Sequence, residues 1–365
     1  MRSVIKIGTS SLTDDAGLIN TEAIQKLCDE VAEARALGHQ VVLVTSAAIA
    51  AGLAPLGLSS QRPKDALTLQ AVSAVGQSRL MHVYNEALAV HGLVGAQVLL
   101  TPLDFMVRAQ YLHARDTLER LIELGAIAII NENDAVADDE IRFGDNDRIA
   151  ALVANLLNAD VLVLLTDTGG LYTADPRLDP GAQRIVNIDA IDDEVQSFAG
   201  GAGTERGSGG MASKIRAARM ASWSGVRTVI AAAGRADVVA DAMNDVAEVG
   251  TTVRPKNRER KLAARKLWIG FAVAAEGSVT VDSGAEAMLV SRGVSLLHAG
   301  VVSVAGNFAI DDPIDVVNSH GRVIARGLAR ADSGTASKSA GFRSGDLPIG
   351  VSPEMIHRDD LVVLV

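Results

Sequence analysis

Through roughly the first 250 residues, short continuous apolar runs alternate with longer stretches whose apolar positions recur three and four apart. "SVIKIG" reads as a strand closed by Gly8. "NTEAIQKLCDEVAEARALGHQVVLVTS" then carries Ile24, Leu27, Val31 and Ala34 at helical spacing, with Asn20 or Thr21 as cap and a stop near Gly38. An apolar strand, Val41 to Val44, follows. The same order returns in "DTLERLIELGAIAIINEND" and "DRIAALVANLLNADVLVLLTD", and more weakly in "GMASKIRAARMASWSGVRTVIAA". Repeated strand–helix–strand units with continuously apolar strands predict an α/β fold, a mainly parallel sheet sandwiched by helices. Ligands in such folds bind beyond the carboxyl ends of the strands. Each of those ends carries polar residues here: "KIGTSS", "VTSAAIAAG", "INEND" and "LLTDTGGLYTADPR".

The pattern changes after "TVRPKNRERKLAARKLW", a run from Thr252 to Trp268 with seven basic residues against one Glu. A solvated linker or helix face explains that run better than an anion site does. Beyond it, short alternating segments punctuated by glycine, such as "GSVTVDSGA" and "GVVSVAGNF", predict a small β-rich domain. The expected organisation is a first domain over 1–253, a basic linker over 254–271, the β-rich domain over 272–351 and a tail over 352–365.

Composition narrows the function classes. The chain has 365 residues and a net charge of −10, with 48% apolar but only 3% aromatic residues, so its cores are filled by Ala, Val, Leu and Ile. An acidic chain repels phosphate backbones, which makes nucleic acid an unlikely main partner. The β-rich segment itself carries eight acids against six Lys and Arg, with Phe308 and Phe342 as its stacking aromatics. It has neither a basic face nor a stacking platform for RNA. The single cysteine, Cys28, cannot form an internal disulfide, and no apolar run is long enough to cross a membrane. A soluble cytoplasmic protein is expected.

Three stretches carry candidate chemistry. In "KIGTSS", Gly8 lets the backbone, Thr9 and Ser10 come close to an anion, with Lys6 supplying charge. "GGAGTERGSGGMASK" is a glycine-dense loop running into a helix with Lys214 in its first turn. Loop N–H groups, the helix dipole and a lysine make a phosphate cradle, although neither the Walker A nor the dinucleotide-binding spacing is met. A cation opening a helix opposes the dipole unless an anion sits beside it. The third stretch, "INENDAVADDEIRFGDND", holds seven carboxylates and one basic residue, Arg142. Asp138, Asp139 and Glu140 read as a solvated loop, while "INEND" ends a strand and "GDND" opens a helix. Acceptors in those two places can hold an ammonium group, orient lysines or reach a hydrated Mg²⁺. No His or Cys joins these acids, so no dedicated metal site is assigned. "IHRDD" resembles a protein-kinase catalytic loop, but the later Asn is missing.

Together these parts suggest phosphoryl transfer from a nucleotide, which is mostly positioning and charge neutralisation. A carboxylate acceptor needs no general base, being ionised above a pKa of about 4.3. The segments "IKIGTS", "VTSAAIAAG", "AVGQSRL", "INENDAV", "GDND", "LLTDTGGLYTADPR" and "SGGMASK", in this order, resemble the glutamate 5-kinases of the amino acid kinase family, and the C-terminal segment resembles a PUA domain. The resemblance implies ATP- and Mg²⁺-dependent phosphorylation of the L-glutamate γ-carboxylate, the first step of proline biosynthesis, with proline as feedback inhibitor. It further implies a homo-oligomer, tetramer or dimer, and handover of product to γ-glutamyl phosphate reductase. Carried over by residue, Lys6 and Gly8 would meet ATP phosphates and Lys214 would stabilise the moving phosphoryl group. Thr166, Asp167, Ser208, Gly209, Gly210, Met211, Ala212, Ser213 and Lys214 would bind nucleotide. Ser46, Asp134 and Asn146 would hold glutamate. On charge grounds Asp145 is assigned to the substrate ammonium and Asp147 to orienting the lysines. The C-terminal stretch "KSAGFRSGDLPIG" departs from related chains, which often have a histidine-containing helical segment there. Rival readings are an acetylglutamate or aspartate kinase of the same family, or an RNA-binding protein.

Overall fold

The computed structural model describes residues 1–14, 16–59, 63–136, 146–199, 210–255, 264–272 and 274–365. The chain divides into two compact units, Met1–Lys261 and Leu262–Val365. In the first, eight strands form one sheet: β1 (Arg2–Ile7), β2 (Gln40–Val44), β3 (Gly95–Leu100), β4 (Ile127–Glu132), β5 (Val161–Thr166), β6 (Asn187–Ile188), β7 (Arg227–Ala232) and β8 (Thr251–Val253). Their order is β3-β4-β2-β1-β5-β7-β8-β6, with every pairing parallel except β7 with β8. The apolar runs and helical stretches of the sequence thus become the parallel, doubly covered sheet they predict. The expected first helix is Thr21–Ala36; the Asn20 side chain caps it by accepting from the Ala23 N–H, and Gly38 follows at φ +82°.

Side chains alternate across each strand, so the strands sort residues between two cores. Ile5, Ile7, Leu43, Ile129, Val163 and Leu165 join Leu27, Val31, Tyr84 and Val239 in one buried cluster beneath the helices Thr21–Ala36, Ala66–Ala89 and Val238–Met243. Val4, Val42, Val44, Ile130 and Leu164 point the other way and are equally buried. The helices Asn146–Leu156 and Met211–Trp223 pack on the sheet and against each other. Every residue of Asn146–Leu156 is buried, including the polar Asn146, Asp147, Arg148 and Asn155. Lys6 occupies an even position of β1, on the side of Val4.

A glycine pair sets the approach of two further helices, Ala48–Leu53 and Ala66–Ala89. A Cβ at Gly76 would come within 1.8 Å of the Ala48 carbonyl oxygen, and one at Gly52 within 2.0 Å of the Val72 carbonyl oxygen. The backbones therefore touch directly. Just before the shorter helix, Ala47 is left-handed at φ +77°, which turns the chain sharply at the end of β2 beside Ser46.

The second unit is β-rich, as expected. It contains β9 (Gly277–Val281), β10 (Leu296–Leu297), β11 (Val301–Gly306), β12 (Pro313–Val317), β13 (Val323–Leu328), β14 (Glu354–Ile356) and β15 (Leu361–Val363). Five of them form a sheet in the order β11-β9-β12-β13-β15, and β10 pairs with β14. Two expectations are corrected here. Residues 352–365 are not a tail, because β15 completes the sheet and Met355, Ile356, Leu361 and Val362 are buried in it. The basic run is not a linker to its end either. Ala264–Leu267 and Trp268–Ala272 are helical, with Leu267 and Ile269 fully buried, and Arg265 pairs with Asp360 at 2.9 Å. Apolar residues interleaved with the charges decide the outcome.

Gly76→Ala should destabilise the first unit by about 2–3 kcal/mol, since the added methyl must force two backbones apart. A fall in the denaturant midpoint at unchanged slope would show it, and an unchanged midpoint would mean that the crossing is not tight.

Candidate active site

The strand ends β1, β2, β4 and β5 and the starts of two helices converge on one region. Lys6 stands near the end of β1. Its position on the helix-covered side brings Nζ to 2.7 Å from Oδ1 of Asp147, the second residue of the helix Asn146–Leu156. The other oxygen of the same carboxylate, Oδ2, lies 3.3 Å from Nζ of Lys214. Lys214 is the fourth residue of the helix Met211–Trp223, and Ser213 before it donates its hydroxyl hydrogen to Asp147 Oδ2. All three charged side chains are buried, the lysines 4% exposed and Asp147 1%. Burial pushes the Asp147 carboxyl up, but the Lys6 and Lys214 ammonium groups outweigh it and hold the pKa down at about 2. The cation at the helix start, which opposes the helix dipole, thus has a carboxylate beside it.

Next to this cluster, Gly8 turns its bare Cα toward the Lys6 ammonium group. A Cβ at Gly8 would sit 3.6 Å from Lys6 Nζ, in the volume that a phosphate oxygen would need to reach that ammonium group. Gly210 is the N-cap of the following helix, and Met211 and Ala212 form its first turn. Thr166 and Asp167, at the end of β5, border a cleft of about 590 Å³ with Ser10, Ser11, Asn20, Lys26 and Gly234. The Thr166 hydroxyl donates to Asp167 at 3.1 Å.

A second group of polar residues lies at the ends of β2 and β4. Asn146 donates through Nδ2 to Ser46 Oγ at 3.3 Å and to Asn131 Oδ1 at 3.0 Å, and its Oδ1 accepts the Glu132 backbone N–H at 3.1 Å. Asp134 is buried and accepts the Ser73 hydroxyl at 2.6 Å. Burial raises the Asp134 carboxyl above its ordinary range, and the bond from Ser73 only partly offsets this. An arriving ammonium group would restore the balance. Ser46 and Asp134 thus follow the ends of β2 and β4, and Asn146 opens the helix beside them.

Asp145, Ser208 and Gly209 lie outside the described residues. Ser213, assigned from the resemblance to the nucleotide loop, directs its hydroxyl to Asp147. Ser73, Gln77 and Asn131 were not singled out from the sequence, yet all three touch the site. A signal existed: Ser73 and Gln77 are polar members, one turn apart, of the stripe that also buries Val72, Leu80, Met81 and Tyr84. Among the described residues no group of three or more His, Cys, Asp or Glu could hold a metal ion.

Residues 1–232 match the amino acid kinase family and residues 277–346 the PUA domain. The glutamate 5-kinase of Thermobifida fusca is 46% identical over 370 residues, spanning all of this chain and 93% of the relative. That of Frankia casuarinae is 48% identical across all of this chain and 97% of its own length. That of Myxococcus xanthus is 45% identical, across 96% of its own length. Among solved structures, the carbamate kinase from Giardia lamblia bound to AMP-PNP shares the fold, with a TM-score of 0.51 at 16% identity over 69% of this chain and 98% of that one.

Asp147 also dictates a pH dependence. Its folded pKa of about 2 lies below the ordinary 3.8, so its contribution is complete above pH 3.8 and is lost as pH falls toward 2. Between pH 4 and pH 2 the first unit should lose on the order of 2 kcal/mol more stability than its Asp147→Asn variant does. Denaturant titrations across that range measure the difference, and parallel curves would mean that the lysines do not hold the carboxylate down.

Proposed function

The chain belongs to the amino acid kinase family, in its glutamate 5-kinase branch with a C-terminal PUA domain, and on that footing we propose that Lys6, Lys214 and Asp147 form the phosphoryl-transfer centre for the γ-carboxylate of L-glutamate. It is a phosphotransferase, and glutamate phosphorylation is the opening reaction of proline biosynthesis. The observation that carries the site assignment is the single buried carboxylate that gathers two ammonium groups from distant segments.

The acceptor carboxylate is already ionised at neutral pH, so the reaction needs no general base. Its difficulty is bringing one anion against another. Lys6, beside Gly8, meets phosphate oxygens, and Lys214 takes up charge on the moving phosphoryl group. Asp147 keeps both ammonium groups in register and touches neither reactant. ATP supplies the phosphoryl group when bound, and Gly8, Thr166, Asp167 and the helix start Gly210–Lys214 hold it. No carboxylate cage is assigned to Mg²⁺, which arrives on the ATP phosphates. Ser46, Asp134 and Asn146 hold the amino acid, with Asp134 facing its ammonium group. Inhibition by proline, assembly into an oligomer, delivery of product to a reductase and a cytoplasmic setting complete the reading. No helix among the described residues is long and apolar enough to cross a membrane.

ATP- and Mg²⁺-dependent acyl phosphate, trapped with hydroxylamine, should form with glutamate but not with N-acetylglutamate or aspartate, and proline should suppress it. Signal with another acceptor would move the substrate assignment and keep the transfer centre. Lys214→Ala should lower kcat by about 10²–10³-fold with the fold intact, comparable to losing one transition-state donor. Near-normal turnover would remove Lys214 from the chemistry. Asp134→Ala should raise the KM for glutamate far more than that for ATP, and equal effects on both would mean that Asp134 is not an acceptor-binding residue.

A further inference from the structure

We propose that a directed chain of amide hydrogen bonds, Gln97–Gln77–Asn131–Asn146, fixes the Ser46 hydroxyl as a hydrogen-bond donor to the α-carboxylate of the acceptor amino acid, with Gln77 as its positioning residue. The proposal rests on the glutamate reading given above.

One obligate donor sets the direction of the chain. The backbone N–H of Glu132 donates both to Asn131, at 2.9 Å, and to Asn146, at 3.1 Å. An N–H cannot accept, so the facing atom of each side chain is its oxygen, and both amide orientations follow. The Asn146 nitrogen then points at Ser46 Oγ and at Asn131 Oδ1, which engages both of its hydrogens. The Asn131 nitrogen points away, to Gln77 Oε1 at 2.8 Å. With its oxygen engaged there, Gln77 turns its own nitrogen to Gln97 Oε1 at 3.2 Å. Gln77, Asn131 and Asn146 are all buried, where an amide facing the wrong way costs about 1–3 kcal/mol. Gln97, on β3, is exposed and closes the chain at the solvent side.

At the other end, Ser46 Oγ is occupied as an acceptor. Its hydroxyl hydrogen points elsewhere, and among the described residues none accepts it. Ser46 is therefore a donor, and what it recognises is an acceptor, best an ionised one. The substrate offers two carboxylates. The γ-carboxylate must keep a lone pair for attack and meets the two lysines. The α-carboxylate does not react and needs its own donor, on the carbon whose ammonium group is assigned to Asp134.

Gln77 reaches this chain because the helix Ala66–Ala89 brings Ser73 and Gln77 to the site on one face, one turn apart. The first touches Asp134 and the second touches Asn131. One helix thus supports both the ammonium side and the carboxylate side of the acceptor, without a contact of its own to the substrate.

The test compares Gln77→Met, which keeps the size and removes the acceptor, with Gln77→Glu, which keeps an acceptor toward Asn131. Gln77→Met should raise the KM for glutamate about tenfold, the loss of roughly one hydrogen bond, while kcat and the KM for ATP stay within about twofold and the thermal midpoint falls by only a few degrees. Gln77→Glu should recover most of that loss. Gln97→Met breaks the chain at its exposed end and should act in the same direction, more weakly. A second readout separates positioning from general damage. The preference for glutamate over its α-carboxamide, measured as kcat/KM, should narrow about fivefold in Gln77→Met, because the donor to the ionised group is lost. An unchanged KM for glutamate in Gln77→Met, or equal weakening of glutamate and the amide, would overturn the relay and leave the glutamate reading standing. Absence of acyl phosphate from glutamate in the unmodified chain would overturn both.

Discussion

Asp147 binds Lys6 with one carboxylate oxygen and Lys214 with the other, and it does so almost without contact with water. Three charges buried this deeply are expensive to desolvate, and they persist because both lysines pair with the one carboxylate, to which Ser213 adds a hydrogen bond. The arrangement depends on register. A shift of one residue in β1 would turn Lys6 toward the opposite core, among Leu43, Ile129 and Val163, and move Ile5 and Ile7 out of it. A quarter turn of the helix Met211–Trp223 would withdraw Lys214. The parallel sheet and its fully buried helix Asn146–Leu156 therefore act as the frame that keeps two cations from distant parts of the chain on one anion.

Around that centre the fold separates two tasks. The cluster of Lys6, Lys214 and Asp147 concentrates charge, and charge is what a transferring phosphoryl group needs. The amides and hydroxyls at the ends of β2 and β4 carry no net charge, and in the proposed assignment they would read shape and direction instead. Asn146 and Asp147 are neighbours at one helix start, so the two tasks meet across a single peptide bond. Under the proposed assignment, a displacement of that helix would disturb acceptor binding and transfer together.

Much of this was legible in the sequence. Lys6 stands out because a lysine at the end of an apolar strand precedes a glycine, and Lys214 because a cation opens a helix. Asp147 stands out because it is an acid in the first turn of a mostly apolar helix, which on charge grounds suits it to orienting lysines. Ser73, Gln77 and Asn131 were not legible in the same way. Their polarity sits inside stretches that must be buried, and only the partner on a different element shows why it is tolerated. The boundary of the second unit was misjudged for a related reason. The residues after Val351 include the apolar run 361–365, and the pairing of β15 with β13 shows that Leu361 and Val362 complete a core. Local period reports which face is buried. It does not report which distant strand closes the sheet.

The contact between Gly52 and Gly76 has a mechanical meaning. Helices that meet through side chains can slide, because the layer between them is soft and can change rotamer. Here no such layer exists: carbonyl oxygen lies where a methyl group would be. The helix Ala48–Leu53, which begins two residues after Ser46, and the helix Ala66–Ala89, which carries Ser73 and Gln77, therefore behave as one stiff bracket. Accommodation of a larger or smaller acceptor cannot come from tilting one of these helices against the other.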